Sequence, residues 1–226
     1  MKISIIIPTL NEGKILRDTL KRLKKGMDIE IIVVDGGSTD DTVVVAKEFT
    51  KKVLSSPLPG RALQMNEGAR NAEGEVLLFL HADSRVARGG LGKIVPAIIG
   101  MPAVGGAFQL GIDSRNLFLR LIAWFANLRM RITKIPYGDQ GIFITRTTFQ
   151  KIGGFPDIPI MEDIALAKKM KKEGKIALLK EKVLTSPRRW NQEGILWTTI
   201  RNQGLVTAYL LGVSPQKLAG CYRNIR

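Results

Sequence analysis

Residues 3–12 read Ile-Ser-Ile-Ile-Ile-Pro-Thr-Leu-Asn-Glu: a nearly unbroken apolar run, a proline, then a polar cluster. Residues 30–42 repeat the change, Glu-Ile-Ile-Val-Val giving way to Asp-Gly-Gly-Ser-Thr-Asp-Asp-Thr. Residues 76–84 make it a third time, from Val-Leu-Leu-Phe-Leu to His-Ala-Asp-Ser. A strand with one wet face alternates apolar and polar residues. These three do not, so both faces are expected to be buried, as in a parallel sheet covered by helices. The intervening segments supply those helices. Residues 12–25 carry Leu16, Leu20 and Leu23 at helical spacing, with Pro8 as the expected strand end and Asn11 as the expected N-cap. Residues 40–49 form a second helix capped from 38–40, and residues 53–54 a short strand. Pro57, Pro59 and Gly60 then make a loop, and residues 61–72 a third helix. This alternation specifies an α/β fold, a mostly parallel central sheet with helices on both faces. Ligands in such sheets sit beyond the carboxyl ends of the strands, which selects residues 8–12, 35–39 and 81–84.

The second half is less regular. Strands are expected at 104–110, 141–145, 176–179 and 183–185, and helices at 116–132, 163–172 and 192–211. No repeat, low-complexity tract or linker divides the chain. Residues 1–226 are therefore read as one domain, with a nucleotide-binding half over 1–100 and a substrate-binding half over 101–226 that ends in a helical segment. Thirty-five Lys and Arg against 20 Asp and Glu leave a charge of +15. Such a charge implies anionic company: nucleic acid, a phosphorylated substrate or anionic lipid. One cysteine, Cys221, excludes an internal disulfide framework, and one histidine, His81, excludes any site that needs two imidazoles. No signal-peptide pattern opens the chain, and no apolar run reaches the roughly 18 residues of a membrane span. A cytoplasmic protein is expected, soluble or peripheral on the inner face of the membrane.

Each polar loop alone is an ordinary turn, but the set resembles glycosyltransferase family 2, whose members have the GT-A fold. The segment PTLNE matches the family's opening strand and donor loop, and VVDGGSTDDT its VVDDGSxDxT segment. FLHADS stands where the family places a metal-binding Asp-x-Asp, MEDIAL where it places the catalytic base, and TSPRRW resembles a shortened Gln-x-x-Arg-Trp segment. Within the family, GRALQMNEGA, LLFLHAD, YGDQGIF and RRW are most similar to a short subgroup associated with radical-SAM proteins and arsenosugar synthesis. The resemblance implies an inverting, hexosyl-type transfer from a nucleotide-sugar donor with a divalent cation, Mg²⁺ or Mn²⁺. It implies Asp163 as base with Glu162 in support, and Asp139 in acceptor binding or orientation. It implies a donor site of Pro8, Thr9, Asn11, Glu12, Asp35, Gly60, Arg61, Gln64, Asn66, Ala82, Arg188, Arg189 and Trp190. Two departures stand out: Gly36 replaces the second aspartate of the usual DDGS, and His81 takes the first acidic position of the Asp-x-Asp, leaving Asp83 as the expected metal ligand.

The residues can support that chemistry. A departing diphosphate gathers negative charge that a divalent cation neutralises, and such cations take carboxylate, phosphate and water ligands. Arg188 and Arg189 can grip phosphate and Trp190 can stack on a sugar or base. An imidazole at 81 can bind metal, bond the donor or close the strand. Leu117, Leu121, Trp124, Phe125, Leu128 and Ile132 share helical spacing, with Arg120, Asn127, Arg131 and Lys134 elsewhere on the wheel. Such a helix either packs its apolar face on the sheet or lies on anionic lipid, near a lipid-linked or small-molecule acceptor. Two other functions compete. A nucleotidyltransferase, or a nucleotide-binding relative that has lost activity, shares the front half, although PTLNE lacks a Gly-rich phosphate loop. A nucleic-acid-binding protein would explain the charge, but only 6% of residues are aromatic, which disfavours nucleic acid.

Overall fold

The computed structural model describes residues 1–23, 28–56, 58 and 60–221. Its front half contains β1 (Ile3–Thr9), α1 (Gly13–Leu23), β2 (Ile29–Asp35), α2 (Thr42–Lys47), β3 (Lys52–Ser55), α3 (Arg61–Arg70) and β4 (Val76–Phe79). There follow β5 (Ser84–Val86), α4 (Ile94–Gly100), β6 (Ala103–Ile112), α5 (Leu117–Thr133), β7 (Ile142–Thr145) and α6 (Arg146–Lys151). The chain continues through α7 (Glu162–Glu173), β8 (Lys175–Thr185), α8 (Arg188–Glu193), α9 (Ile195–Leu210) and α10 (Pro215–Ala219). The strands form one sheet in the order β3-β2-β1-β4-β7-β6-β8-β5. β1 lies parallel to β2 and β4, and β2 to β3. β7 is antiparallel to both β4 and β6, β8 is parallel to β6, and β5 is antiparallel to β8.

The apolar runs are continuous because both sheet faces are covered. Alternate residues of a strand point to opposite faces. Ile5 and Ile7 join Leu16 and Leu20 of α1 and Ile94 of α4 in one core. Ile6 joins Met65 of α3 and Leu166 and Met170 of α7 in the other.

Several boundaries differ from expectation. β1 does not end at Pro8 but runs through it to Thr9, in register with Val34 and Asp35. Pro8 shares with Ile6 the edge turned toward β4, where pairing has already ended at Phe79, so its missing N–H breaks no ladder bond. Asn11 does not cap α1; its backbone is left-handed (φ 54°) and its carboxamide accepts from the Thr39 backbone N–H at 2.8 Å. The strands expected at 176–179 and 183–185 are one, β8, because β6 offers a full-length parallel partner with an irregularity between Ala107 and Gln109. The helix expected at 192–211 is two, α8 and α9, separated at Gly194, whose φ of 88° is left-handed. Lys24 and Lys25 at the end of the expected first helix, and Pro57 and Pro59 of the expected loop, lie outside the described residues.

The apolar spacing of α5 points away from the sheet. Leu119, Ala123 and Met130 are buried, whereas Leu117, Leu121, Trp124, Phe125, Leu128 and Ile132 are exposed. Packing that apolar face on the sheet is therefore not what the fold does; β6 takes the opposite face.

Candidate active site

β1, β2 and β4 end along one edge of the sheet, and their loops build the first part of the site. Asp35 closes β2 and is almost fully buried. Its Oδ2 accepts from the backbone N–H groups of Gly37 and Ser38, each at 2.9 Å, and its Oδ1 from the hydroxyls of Ser38 and Thr9 at 2.5 and 3.4 Å. The carboxylate thus shapes its own loop, and the turn needs the left-handed Gly37 (φ 96°). The Gln64 amide of α3 donates to the carbonyls of Thr9 and Val34 at 2.7 and 2.8 Å, tying the helix to both strand ends. This explains Gly36: a Cβ there would stand 3.0 Å from Gln64 Nε2. Asn66 is turned elsewhere, and its carboxamide brackets the backbone N–H and carbonyl of Phe155.

A cavity of about 110 Å³ beside this edge is walled by Pro8, Thr9, Glu12, Gln64, Ala82 and Asp83. Arg188, from the start of α8, crosses to it and donates to both oxygens of Glu12 at 2.9 and 3.1 Å. This forked pair joins residues 176 positions apart and so couples the loop after β1 to the RRW segment.

Next to it lies a cavity of about 230 Å³ onto which His81, Asp83, Asp139, Asp163, Arg189 and Trp190 all face. Arg61 and Arg188 line both cavities. Asp163 lies in the first turn of α7; its Oδ2 accepts from the Gly138 backbone N–H at 2.6 Å and its Oδ1 from the Ile164 N–H at 2.8 Å. Gly138 is where these elements meet: a Cβ on it would lie 3.2 Å from both Asp163 Oδ2 and His81 Nε2. Burial, then the Arg61 and Arg189 charges, push the His81 imidazole down to about 3, so the ring is neutral. Burial and the neighbouring Glu12 push Asp83 above the ordinary carboxyl value. Burial and the Asp163 charge push Asp139 up to about 6, against the opposing pull of Arg129. Glu162, almost fully buried behind the cleft, is also raised by burial; Arg61 stands 3.4 Å away and opposes that rise. Gly60 lines a separate recess with Arg61 and Glu162.

The cleft therefore brings together His81, Asp83, Asp139, Asp163, Arg61, Arg188, Arg189 and Trp190, with Pro8, Thr9, Glu12, Gln64 and Ala82 in the adjoining cavity. Asp35, Asn11 and Asn66 lie on neither wall and organise the loops and helices around it. The structure also adds residues that the motifs did not single out. Tyr137 stands over the cleft with the Arg129 guanidinium 3.3 Å from its ring centre. Asn202 of α9 faces the cleft, and its Oδ1, like Trp190 Nε1, is buried with no hydrogen-bond partner among the described residues. A lone amide in an apolar helix carries no sequence signal; only folding brings it to the site.

Among the described residues no three His, Cys, Asp or Glu side chains gather into a metal cage. A cation here would take oxygen from Asp83, with Glu12 next in reach of its charge, and the rest of its shell from a ligand and water.

The architecture is that of the GT-A glycosyltransferases. The mannosyltransferase PcManGT from Pyrobaculum calidifontis, in complex with GDP-Man and Mn²⁺, superposes with a TM-score of 0.70 at 23% identity over 97% of this chain and 67% of its own. TarS 1–349 of S. aureus, in complex with UDP-GlcNAc, gives a TM-score of 0.67 at 21% identity over 82% of this chain and 58% of its own. At these identities the likeness is one of fold. The model of glycosyl transferase family 2 matches residues 4–153, and the chain belongs to that family. It is 38% identical over 161 residues to the PGL/p-HBAD biosynthesis glycosyltransferase of Mycobacterium bovis (strain BCG / Pasteur 1173P2), covering 67% of this chain and 62% of that protein. It is 28% identical over 192 residues to the probable glycosyltransferase YdaM of Bacillus subtilis (strain 168), covering 73% and 45%. The matches thus span roughly half to three-fifths of these curated relatives.

Proposed function

We propose that the chain is an inverting glycosyltransferase that moves a hexosyl group from a nucleotide-sugar to an acceptor hydroxyl with the help of a divalent cation, and that it is one catalytic domain of the short subgroup its GRALQMNEGA and YGDQGIF segments resemble. The observation that carries this reading is the meeting of Asp83, Asp139, Asp163 and the Arg188-Arg189 pair in one cleft, from four separate parts of the chain. Neighbours of the same fold hold UDP-GlcNAc, or GDP-Man with Mn²⁺.

The residues fit a hard cation: Asp83 offers a carboxylate whose charged form burial and the Glu12 charge disfavour, so a cation beside it would be favoured. When bound, such a cation neutralises charge on a departing diphosphate. Arg188 and Arg189 flank the same space and supply fixed donors to phosphate oxygens. Thr9 and Glu12 offer hydroxyl and carboxylate acceptors beside the donor cavity, and Trp190 a flat face for a sugar or base.

Inversion needs a base across the sugar from the leaving group. Asp163 is oriented for it by the Gly138 N–H and keeps lone pairs for an acceptor hydroxyl. Asp139, beside it, orients the acceptor. Glu162 holds Arg61 from behind. His81, neutral and close to Gly138, can bond a donor or acceptor hydroxyl without adding charge.

Calorimetry with UDP and GDP, with and without Mn²⁺, tests the reading. Wild-type protein should bind one of them with Mn²⁺ enhancement, and Asp83→Ala should lose the enhancement while keeping its fold by circular dichroism. Equal binding by the two proteins in Mn²⁺ would remove Asp83 from the metal site.

A further inference from the structure

The outward face of α5 is apolar along the whole helix. At 100° per residue, Leu117, Phe118, Leu121, Trp124, Phe125, Leu128 and Ile132 cover one continuous sector of the wheel. Leu117 is 73% exposed, Trp124 56%, Phe125 55% and Ile132 74%. A sector of this size is far more than scattered surface leucines would produce. The first turns of α9 do the same with Leu196, Trp197 and Ile200. The two helices are also the banks of one groove of about 520 Å³. Ile122, Phe125 and Ala126 form one bank and Thr199, Gln203 and Val206 the other, Trp190 contributes to the floor, and Asp139 stands at the inner end. The groove therefore opens beside the exposed Phe125 and reaches Asp139 at the cleft.

The charged side chains of α5 and α9 are all basic. Between Ser114 and Gly138 there are five Arg or Lys and no Asp or Glu, and from Gly194 to Cys221 again no acid. Arg115, Arg120, Arg131 and Lys134 are exposed. Arg120 and Arg131 lie together on one margin of the apolar sector, beside Lys182 of β8. A protein partner covering this face would need an apolar surface ringed by acids. An anionic bilayer supplies both at once, headgroup charge for the margin and hydrocarbon for the ridge. No described helix is long and apolar enough to cross a membrane, so the face would lie on the bilayer.

We infer that the α5–α9 face seats on an anionic lipid leaflet, and that the groove between the helices admits the hydrocarbon chain of a membrane-borne, amphiphilic acceptor to the cleft. The second half rests on the transferase reading; the first does not. On this geometry Trp124, Phe125 and Trp197 enter the interface, where Trp is favoured. The cations at the margin each raise partition roughly fivefold at low salt.

The three tryptophans make the test direct, since Trp124 and Trp197 are exposed on the outer faces of α5 and α9 and Trp190 lines the groove. The full chain is sedimented with vesicles of phosphatidylcholine, with and without about a third phosphatidylglycerol. Binding should need the anionic lipid, fall with salt and drop at least tenfold in R120Q/R131Q/K134Q. Acyl-chain-brominated lipid should then quench W124F/W197F, whose remaining tryptophan is Trp190. A126L/V206F, which fills the groove, should remove that quenching in the same background while sedimentation persists. Protein that stays in the supernatant with anionic vesicles at low salt overturns the proposal, and a light-scattering mass of two copies in that case assigns the face to self-association. Sedimentation without quenching of Trp190 overturns the groove as a lipid path. UDP and GDP calorimetry on the same samples reports the transferase reading separately, since none of the rim residues touches the donor cavity.

Discussion

Replacing Asp139 by asparagine should stabilise the protein while impairing it. Asp139 sits against Asp163 in the cleft, and burial and that charge raise its carboxyl from 3.8 to about 6. A raised folded pKa means the fold penalises the ionised form. The penalty is absent below about pH 4, where the group is protonated in both states. It grows as pH rises through the window from 3.8 to about 6 and is complete above it. A shift of about two units corresponds to about 3 kcal/mol at neutral pH. Asparagine keeps the size, removes the charge and can donate to Asp163, so most of that penalty should disappear. With partial solvent access in the cleft, about 1–3 kcal/mol is the expected gain, or roughly 3–10 °C in Tm for a chain of this length. Urea or thermal unfolding of both proteins at several pH values between about 4 and 8 measures it. The two curves should converge near pH 4 and separate above pH 6, with the variant the more stable. A variant that is less stable at pH 7.5, or that differs by a constant amount at every pH, would refute the account of Asp139 as a destabilised carboxylate.

Asp163→Asn should leave nucleotide affinity nearly unchanged and lower kcat by about 10²–10⁴, the usual worth of a general base; turnover within a few-fold of wild type would shift the role to Asp139. Gly138→Ala should lower activity without unfolding the protein, because its methyl would stand 3.2 Å from both Asp163 and His81; circular dichroism and a donor titration separate the two effects. Arg188→Ala should weaken UDP or GDP binding at least tenfold and make it more salt-sensitive, since it removes a phosphate donor and leaves Glu12 unpaired beside Asp83; the double variant with Glu12→Gln should recover part of the loss by calorimetry.

The front of this protein is legible in its residues before any folding is considered. Three apolar runs without alternation required a sheet buried on both faces, and the residues after them, 8–12, 35–39 and 81–84, had to emerge on one edge because parallel strands share a direction. The charged motifs at Asp163 and Arg188 were equally legible, because their chemistry is carried by residue type and order. What periodicity gives is the angle between residues of one element, never the rotation of that element against its neighbours. The wheel of α5 showed an apolar sector, but not that β6 would take the opposite face and leave Trp124 and Phe125 in solvent. Residue type also says nothing of which hydrogen bonds a group will form within the fold: Asp35 gathers the loop after β2, Gln64 ties α3 to Thr9 and Val34, and Asn66 holds the backbone of Phe155. The Glu12–Arg188 fork, Asn202 at the cleft and the groove between α5 and α9 join parts of the chain far apart in sequence, and only packing against a common sheet brings them within reach.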